Sequence, residues 1–561
     1  MTATPTWFGP AERPLFGWVH APESGLATGA VVLCPPLARE HTAAHETYLL
    51  LAEALAAAGL GVVRFDYDGT GDSAGEESDP RRMAAWRASI GHAAALARAC
   101  GAPSVSLVGM RVGALLALAA APDAGPLDAL VLWDPCASGR AFVRQQASLQ
   151  RLRLEGGEGA GGTELPGLVL SEATVGELDE LAPTPPGDGV RRVLVLERPG
   201  RRPGTALRSA LQGVAVTEAE AEGQDALLDV EPLWQTNPVS TIGRVAAWLA
   251  AEPGGPPHPF DLTSPAPAAT IMTAGGPVTE RLVTLGAHGL FGVETSTGPA
   301  DSVPVALLLP TGNDWHAGSG RLWVELARRW AHMGLRCVRF DESGLGDSPA
   351  RPGRPRLAVR APEAFDDVAE AVAAVTGGAS AEVILVGLCS GAYQALEAAL
   401  LDPPLAVAAV NPVVHFEPPE LAEGGLDPRR RLCRPATGAV HTYRRVLPAP
   451  VRRWLRGPLW RLVQKRQLRR TPKGWLAELA EAGVRILAVG GVDEMRPVHE
   501  AARAAGAELP EGIILETLPG LDHGLLVAAD RRRVTDLLST FVADVVGSRR
   551  APTSEVSAAP R

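Results

Sequence analysis

Gly387-Leu388-Cys389-Ser390-Gly391 follows directly on the apolar run Val383-Ile384-Leu385-Val386. A strand that turns sharply into a helix, with glycines two residues before and two after the apex, holds one side chain exposed on a strained backbone. A Cβ at either glycine would collide with the tight strand–helix packing, so Gly387 and Gly391 are the elbow residues of such a bend. The apex here is Cys389, where a serine is usual. The thiolate is the nucleophilic form of cysteine, so this residue points to acyl transfer through a thioester, to be weighed against simple loss of function. Ser390 lies one position off the apex, which turns its side chain into packing.

Such a bend needs a sheet to stand on. In the second half of the chain, apolar runs near 305–309, 335–341, 382–387, 406–411, 484–489 and 513–517 alternate with helical segments at 320–333, 363–376 and 390–401. Near-continuous apolar strands separated by amphipathic helices predict an α/β architecture, a mostly parallel sheet flanked by helices on both faces. The first half repeats the second. Pro14-Leu15-Phe16-Gly17 is echoed by Gly289-Leu290-Phe291-Gly292. Val63-Arg64-Phe65-Asp66 and Gly69-Thr70-Gly71-Asp72-Ser73 return as Val338-Arg339-Phe340-Asp341 and Gly344-Leu345-Gly346-Asp347-Ser348. Val108-Gly109-Met110-Arg111-Val112-Gly113 matches Val386 to Gly391, and Trp133-Asp134-Pro135 matches Val410-Asn411-Pro412. An offset that stays between 275 and 278 residues predicts a duplicated domain. The expected units are 1–250 and 277–548, with a semi-rigid proline-rich linker over 251–276 and a disordered tail over 549–561.

The Phe-Asp strand end, the Gly-x-Gly-Asp-Ser turn and the elbow, found in that order, resemble the α/β-hydrolase family, in its branch of esterases and serine-aminopeptidase-like hydrolases. The resemblance covers both copies, roughly 10–250 and 277–546. It implies two tandem α/β-hydrolase domains and a chain order of nucleophile, acid, histidine. Cys389 takes the nucleophile position. Asp493, in Gly490-Gly491-Val492-Asp493, stands where the family carries its acid, and His523, in Pro519-Gly520-Leu521-Asp522-His523-Gly524, where it carries its base. Glu494 and Asp522 remain open as rivals for the acid. The implied oxyanion donors are the Ser390 N–H and the loop Thr311-Gly312-Asn313, with Asn313 and Leu388 as candidate substrate-binding residues. His523 would take the thiol proton or pair with the thiolate, and Asp493 would orient the ring. His316, His415 and His499 read as structural or substrate-lining.

The first copy departs from the pattern. Its apex is Arg111, and no histidine occurs between His92 and His258. It reads as a pseudo-enzyme in which Glu197 stands near the acid position, His41 and His45 are loop residues, and Arg111 is more readily a paired structural residue than an anion site.

Composition narrows the remaining classes. The net charge is −10, yet Arg429 to Trp475 holds fifteen Arg or Lys and no acid, so the remainder carries about −25. That basic window falls in an expected cap over 413–483, where Trp454, Leu455, Leu459, Trp460, Leu462 and Val463 recur at helical spacing. It suits a solvated face over a cap seam, or receipt of a CoA- or phosphopantetheine-linked acyl group or acidic carrier protein. Peripheral membrane contact is the weaker alternative. The acidic remainder excludes nucleic acid. No apolar run is long enough to span a membrane, no secretory leader is recognisable, and six scattered cysteines have neither metal nor disulfide spacing. A cytoplasmic protein with no metal or cofactor is expected. The function expected is a cysteine-dependent hydrolase or acyltransferase, a thioesterase or esterase acting on a small acyl ester or thioester. The alternative is a non-catalytic scaffold or carrier-protein-binding adaptor.

Overall fold

The computed structural model of the 561-residue chain describes residues 2–153, 162–230, 234–252, 254–298, 304–312, 314–353, 356, 364–377, 379–412, 472–505 and 512–550. Eight strands build a first sheet in the spatial order Thr2–Phe8, Leu15–Ala21, Gly61–Phe65, Ala30–Cys34, Val105–Met110, Leu127–Trp133, Val190–Glu197, Ala215–Glu220. Its first two pairings are antiparallel and all later ones parallel. A second sheet runs Ala268–Thr273, Gly276–Leu285, Leu290–Ser296, Arg336–Phe340, Val305–Leu309, Val383–Leu388, Ala406–Val410, Arg485–Gly490, Ile513–Thr517. It too is antiparallel up to Arg336–Phe340 and parallel beyond. Leaving aside its extra edge strand Ala268–Thr273, the second order matches the first strand for strand.

The α/β class read from the sequence is the one found, and the six expected strands of the second half are present within a residue or two. Central strands such as Val305–Leu309 and Ala406–Val410 are buried along their whole length, because helices cover both faces. Leu307, Leu385, Val407 and Ile486 face one apolar layer. Leu308, Val386, Ala408 and Leu487 face the other, together with Trp323, Trp330 and Phe541. This two-sided burial is what makes parallel strands uniformly apolar in sequence.

The proline-rich segment corrects the linker expectation. His258–Pro259 pairs with Leu26–Ala27, Phe260 is buried against Gly61, and Ala268–Thr273 joins the second sheet as an edge strand. Proline is tolerated at strand ends and sheet edges, and Ala268–Thr273 itself contains none. Helix Ala528–Arg550 also takes in the first two residues of the tail expected over 549–561.

The two units meet in a self-complementary way. Phe16 and Phe291, which correspond in the repeat, stack with centroids 6.2 Å apart and planes 24° apart. Arg64 donates to Asp347 at 2.6 Å, and the corresponding exchanged pair, Arg339 with Asp72, is formed as well. A contact repeated with its partners interchanged marks an isologous interface. At its centre His316 lies 2.8 Å from Asp341 and 2.6 Å from Asp72, all three fully buried. Burial alone would lower the His316 pKa, but the two carboxylates override it and hold it well above the ordinary value. His316, Asp341 and Asp347 offer ligand atoms within 4.8 Å of one another. Both His316 nitrogens are taken by carboxylates and Asp347 by Arg64, so the cluster is an ion network of the interface. His41 and His45 belong to helix Arg39–Ala57 instead of a loop, pack on Trp315, and line an inter-unit cavity of about 40 Å³.

Candidate active site

Strand Val383–Leu388 passes through Cys389 into helix Ser390–Leu401. Cys389 sits at φ 55°, outside the range comfortable for a side chain, and its N–H is tied to the Val410 carbonyl at 2.9 Å. A Cβ on Gly387 would run into the Gly391 carbonyl, and one on Gly391 into the Pro310 carbonyl at 2.5 Å. Both elbow glycines are therefore required by close backbone approach. The bend leaves the Cys389 side chain half-buried.

His523 comes to this sulfur from the loop between strand Ile513–Thr517 and helix Ala528–Arg550. Its Nε2 lies 3.3 Å from Cys389 Sγ, and its Nδ1 lies 2.9 Å from Glu494 Oε1. The acid in contact is thus Glu494, and Asp493 is corrected. Asp493 is 82% exposed and pairs with Arg496, because consecutive helical residues point about 100° apart and only one faces the histidine. Asp522, the other rival, accepts the Leu526 N–H at 2.6 Å and so shapes the histidine loop. The hydrogen bond to Cys389, opposed by burial and aided by Glu494, raises the His523 pKa to about 9. An imidazolium next to sulfur at neutral pH follows from that value.

The oxyanion expectations fare unevenly. Ser390 opens helix Ser390–Leu401, where the first N–H groups have no acceptor within the helix, so its N–H suits a developing oxyanion. The Gly312 N–H is instead donated to the Ser390 hydroxyl at 2.8 Å. That bond pins the loop to the elbow and occupies the donor expected to serve substrate. Thr311 is half-buried beside it, with its carbonyl accepting the Asp314 N–H at 2.8 Å. Leu388 is corrected as a substrate contact: it is 1% exposed and packs in a core layer, the inward position that alternation along a strand imposes. Asn313, His415, most of the expected cap with its basic window, and the tail beyond Arg550 lie outside the described residues. His499 hydrogen-bonds Thr517 and does not take part in the Cys389–His523–Glu494 contacts.

Asn411 is the residue that sequence reasoning missed. Its Nδ2 donates to the His523 carbonyl at 2.9 Å, and its Oδ1 accepts the Gly491 N–H at 3.1 Å. One buried amide thereby joins the histidine loop to the start of the acid-bearing segment. The only sequence signal was its match to Asp134.

At the corresponding place in the first unit the backbone is kept and the chemistry replaced. Arg111 sits at φ 58°, its N–H bonded to the Trp133 carbonyl at 2.9 Å. Its guanidinium reaches Glu40 at 3.2 Å, Asp134 at 3.3 Å and Gln145 at 2.7 Å. Arg198 adds contacts to Asp134, Asp225 and Asp229. Glu197 is pushed up to about 7 by burial and the neighbouring Asp134, with no histidine to orient. A cluster of buried Arg111, Glu40, Asp134 and Arg198 thus stands at this bend.

No family model and no curated protein matches the chain. Solved structures do. The alpha/beta hydrolase GrgF from Penicillium sp. sh18 is 17% identical over 48% of this chain and 99% of its own, with a TM-score of 0.33. The thioesterase domain from the curacin biosynthetic pathway is 15% identical over 46% of this chain and 99% of its own, with a TM-score of 0.29. An esterase from Pyrococcus furiosus is 14% identical over 48% of this chain and 91% of its own, with a TM-score of 0.30. Each likeness spans a stretch about the size of one unit.

Proposed function

We propose that this chain is an acyl-transfer enzyme, a hydrolase or acyltransferase, that works through a thioester on Cys389. The observation that supports this reading is the 3.3 Å approach of His523 to the Cys389 sulfur, with Glu494 on the far ring nitrogen. The sulfur attacks the acyl carbonyl; a C–S bond forms and the carbonyl π pair moves to oxygen near the Ser390 N–H. As the intermediate collapses, the bond to the leaving group breaks and His523 Nε2 supplies the leaving group's proton. Water, a hydroxyl or an amine then gives a proton to His523 and attacks the thioester, releasing the thiolate. Glu494 holds the ring in register for both proton transfers.

The substrate class is a small acyl ester or thioester, with CoA- or carrier-linked donors suited to the basic segment 429–475. The first unit, with Arg111 at its apex, is a degenerate copy that does no chemistry of its own, and the pair derives from a tandem duplication. The adaptor alternative has no observation in its favour, since a binding scaffold does not need a histidine aligned on a thiol. A panel of activated esters and acyl thioesters, followed by intact-mass detection, tests the proposal. A burst of leaving group and an acyl adduct on the wild type, both absent in Cys389→Ala, are expected. Unchanged turnover in Cys389→Ala would rule out this nucleophile.

A further inference from the structure

The unit without a nucleophile reaches into the histidine loop of the other. Its hairpin pairs Thr163–Leu165 with Leu168–Leu170, turning through Pro166-Gly167. The Gly167 N–H donates to the Leu526 carbonyl at 3.0 Å, three residues past His523. Glu164 Oε1 accepts the N–H of Ala528 at 2.6 Å, capping the start of helix Ala528–Arg550, and Gln150 donates to the same oxygen at 2.8 Å. Glu77 accepts from Arg531 at 3.0 Å and from the Val169 N–H at 3.2 Å, while Arg531 donates to the Leu526 carbonyl at 3.2 Å. Val169 packs on Ala528. Glu164 and Arg531 are buried, so these contacts are shielded from competing water. The loop they hold is strained, with Leu525 at φ 52°. His523 itself is 48% exposed, and within its own unit its carbonyl is held by Asn411.

We propose that the first unit is a positioning part of the active site: its hairpin, through Glu164 and Gly167, together with Glu77 beneath it, sets the loop that brings His523 to Cys389. This rests on the reading of Cys389 and His523 as the catalytic pair. Loss of the nucleophile from the first unit costs nothing under this assignment, because its contribution is the brace. Reacting groups tolerate misplacement poorly, and about 1 Å can cost roughly a hundredfold in rate. The charged groups around His523 are Cys389 from the elbow, Glu494 from helix Val492–Ala505, Asp522 in its own loop and Asp530 from helix Ala528–Arg550. Asp530 accepts the Asp522 N–H at 2.9 Å.

The test uses the full chain and two readouts. NMR titration of the His523 ring, assigned with His523→Gln, reports position. Iodoacetamide alkylation of Cys389 across pH reports the pair. In the wild type His523 is expected to titrate near 9, raised first by its hydrogen bond to Cys389. In Glu164→Ala and Glu77→Ala it falls toward about 6.5, and alkylation of Cys389 below about pH 7 slows about tenfold or more. Glu164→Gln keeps an acceptor for the Ala528 N–H and stays within about twofold of wild type. Glu46→Gln, which weakens the Glu46–Arg356 pair between the units without touching the loop, changes neither readout. Unchanged His523 titration in both alanine variants overturns the proposal, and so does an equal change in Glu46→Gln. If Glu164→Ala does not fold, Glu77→Ala decides alone through the separate Arg531 contact. If wild-type Cys389 alkylates like an ordinary thiol, the catalytic reading fails, while the His523 titration still decides whether the brace exists.

Discussion

At the scale of single residues, helix phase decides which carboxylate meets His523. Glu494 touches His523 and Asp493 turns outward to Arg496. Glu494→Gln is therefore expected to lower kcat/KM by about 10²- to 10⁴-fold, as loss of a ring-orienting carboxylate does, and Asp493→Ala by less than about twofold. Steady-state kinetics on one activated ester separate the two. The raised His523 pKa gives a second expectation. Its imidazolium is present below about 9 and is lost as pH rises through that value. Acylation by esters with poor leaving groups, which need its proton, should fall above about pH 9, whereas donors that leave as stable thiolates should not. The sequence expectation, Asp493, stands one position from the carboxylate that contacts His523, with Glu494 open as its rival. The family pattern counts residues along a loop, and which neighbour faces the histidine is decided by rotation about a helix that the count does not contain. Leu388 failed for a similar reason: next to the apex in sequence, it lies on the buried side of the strand.

At the scale of elements, the bend, the sheet order and the histidine loop are held by backbone contacts that few side chains announce. Asn411 is the clearest case. Removing its amide leaves the His523 carbonyl and the Gly491 N–H without partners, at about 1–3 kcal/mol for each group that stays buried. Asn411→Ala should lower kcat at least about tenfold with a smaller change in KM, since it displaces the base rather than the substrate. Asn411→Asp, which retains the acceptor, should lose less. The strands of the second half were legible because two-sided burial writes them as apolar runs. Ala268–Thr273 was not, because an edge strand is paired on one side only and its mixed exposure looks like linker.

At the scale of the whole molecule, two units of like strand order were legible in the constant offset, but not the way they meet, since reciprocal pairs such as Arg64–Asp347 and Arg339–Asp72 are far apart in sequence. Arg339 is fully buried against Asp72 and Glu280. Replacing one member of such a network strands the others, so Arg339→Met should destabilise the chain by about 3–5 kcal/mol, read as a lowered urea midpoint. The sign with pH follows from the carboxylates. Burial would raise Asp72, the partner of Arg339, but Arg339 and His316 win and hold it well below its ordinary value. Its contribution is thus present above about pH 4 and disappears as pH falls through that depressed value, so the Arg339→Met deficit should shrink in acid.

The bend at Arg111 carries nearly the same left-handed torsion as the one at Cys389, with a guanidinium among carboxylates at its crest instead of a thiol. Conformational tension of this kind belongs to the scaffold and is kept whichever side chain stands at the crest. A contorted crest therefore marks the architecture common to both units, and what sets them apart is the partner that meets it, an imidazole at Cys389 and carboxylates at Arg111.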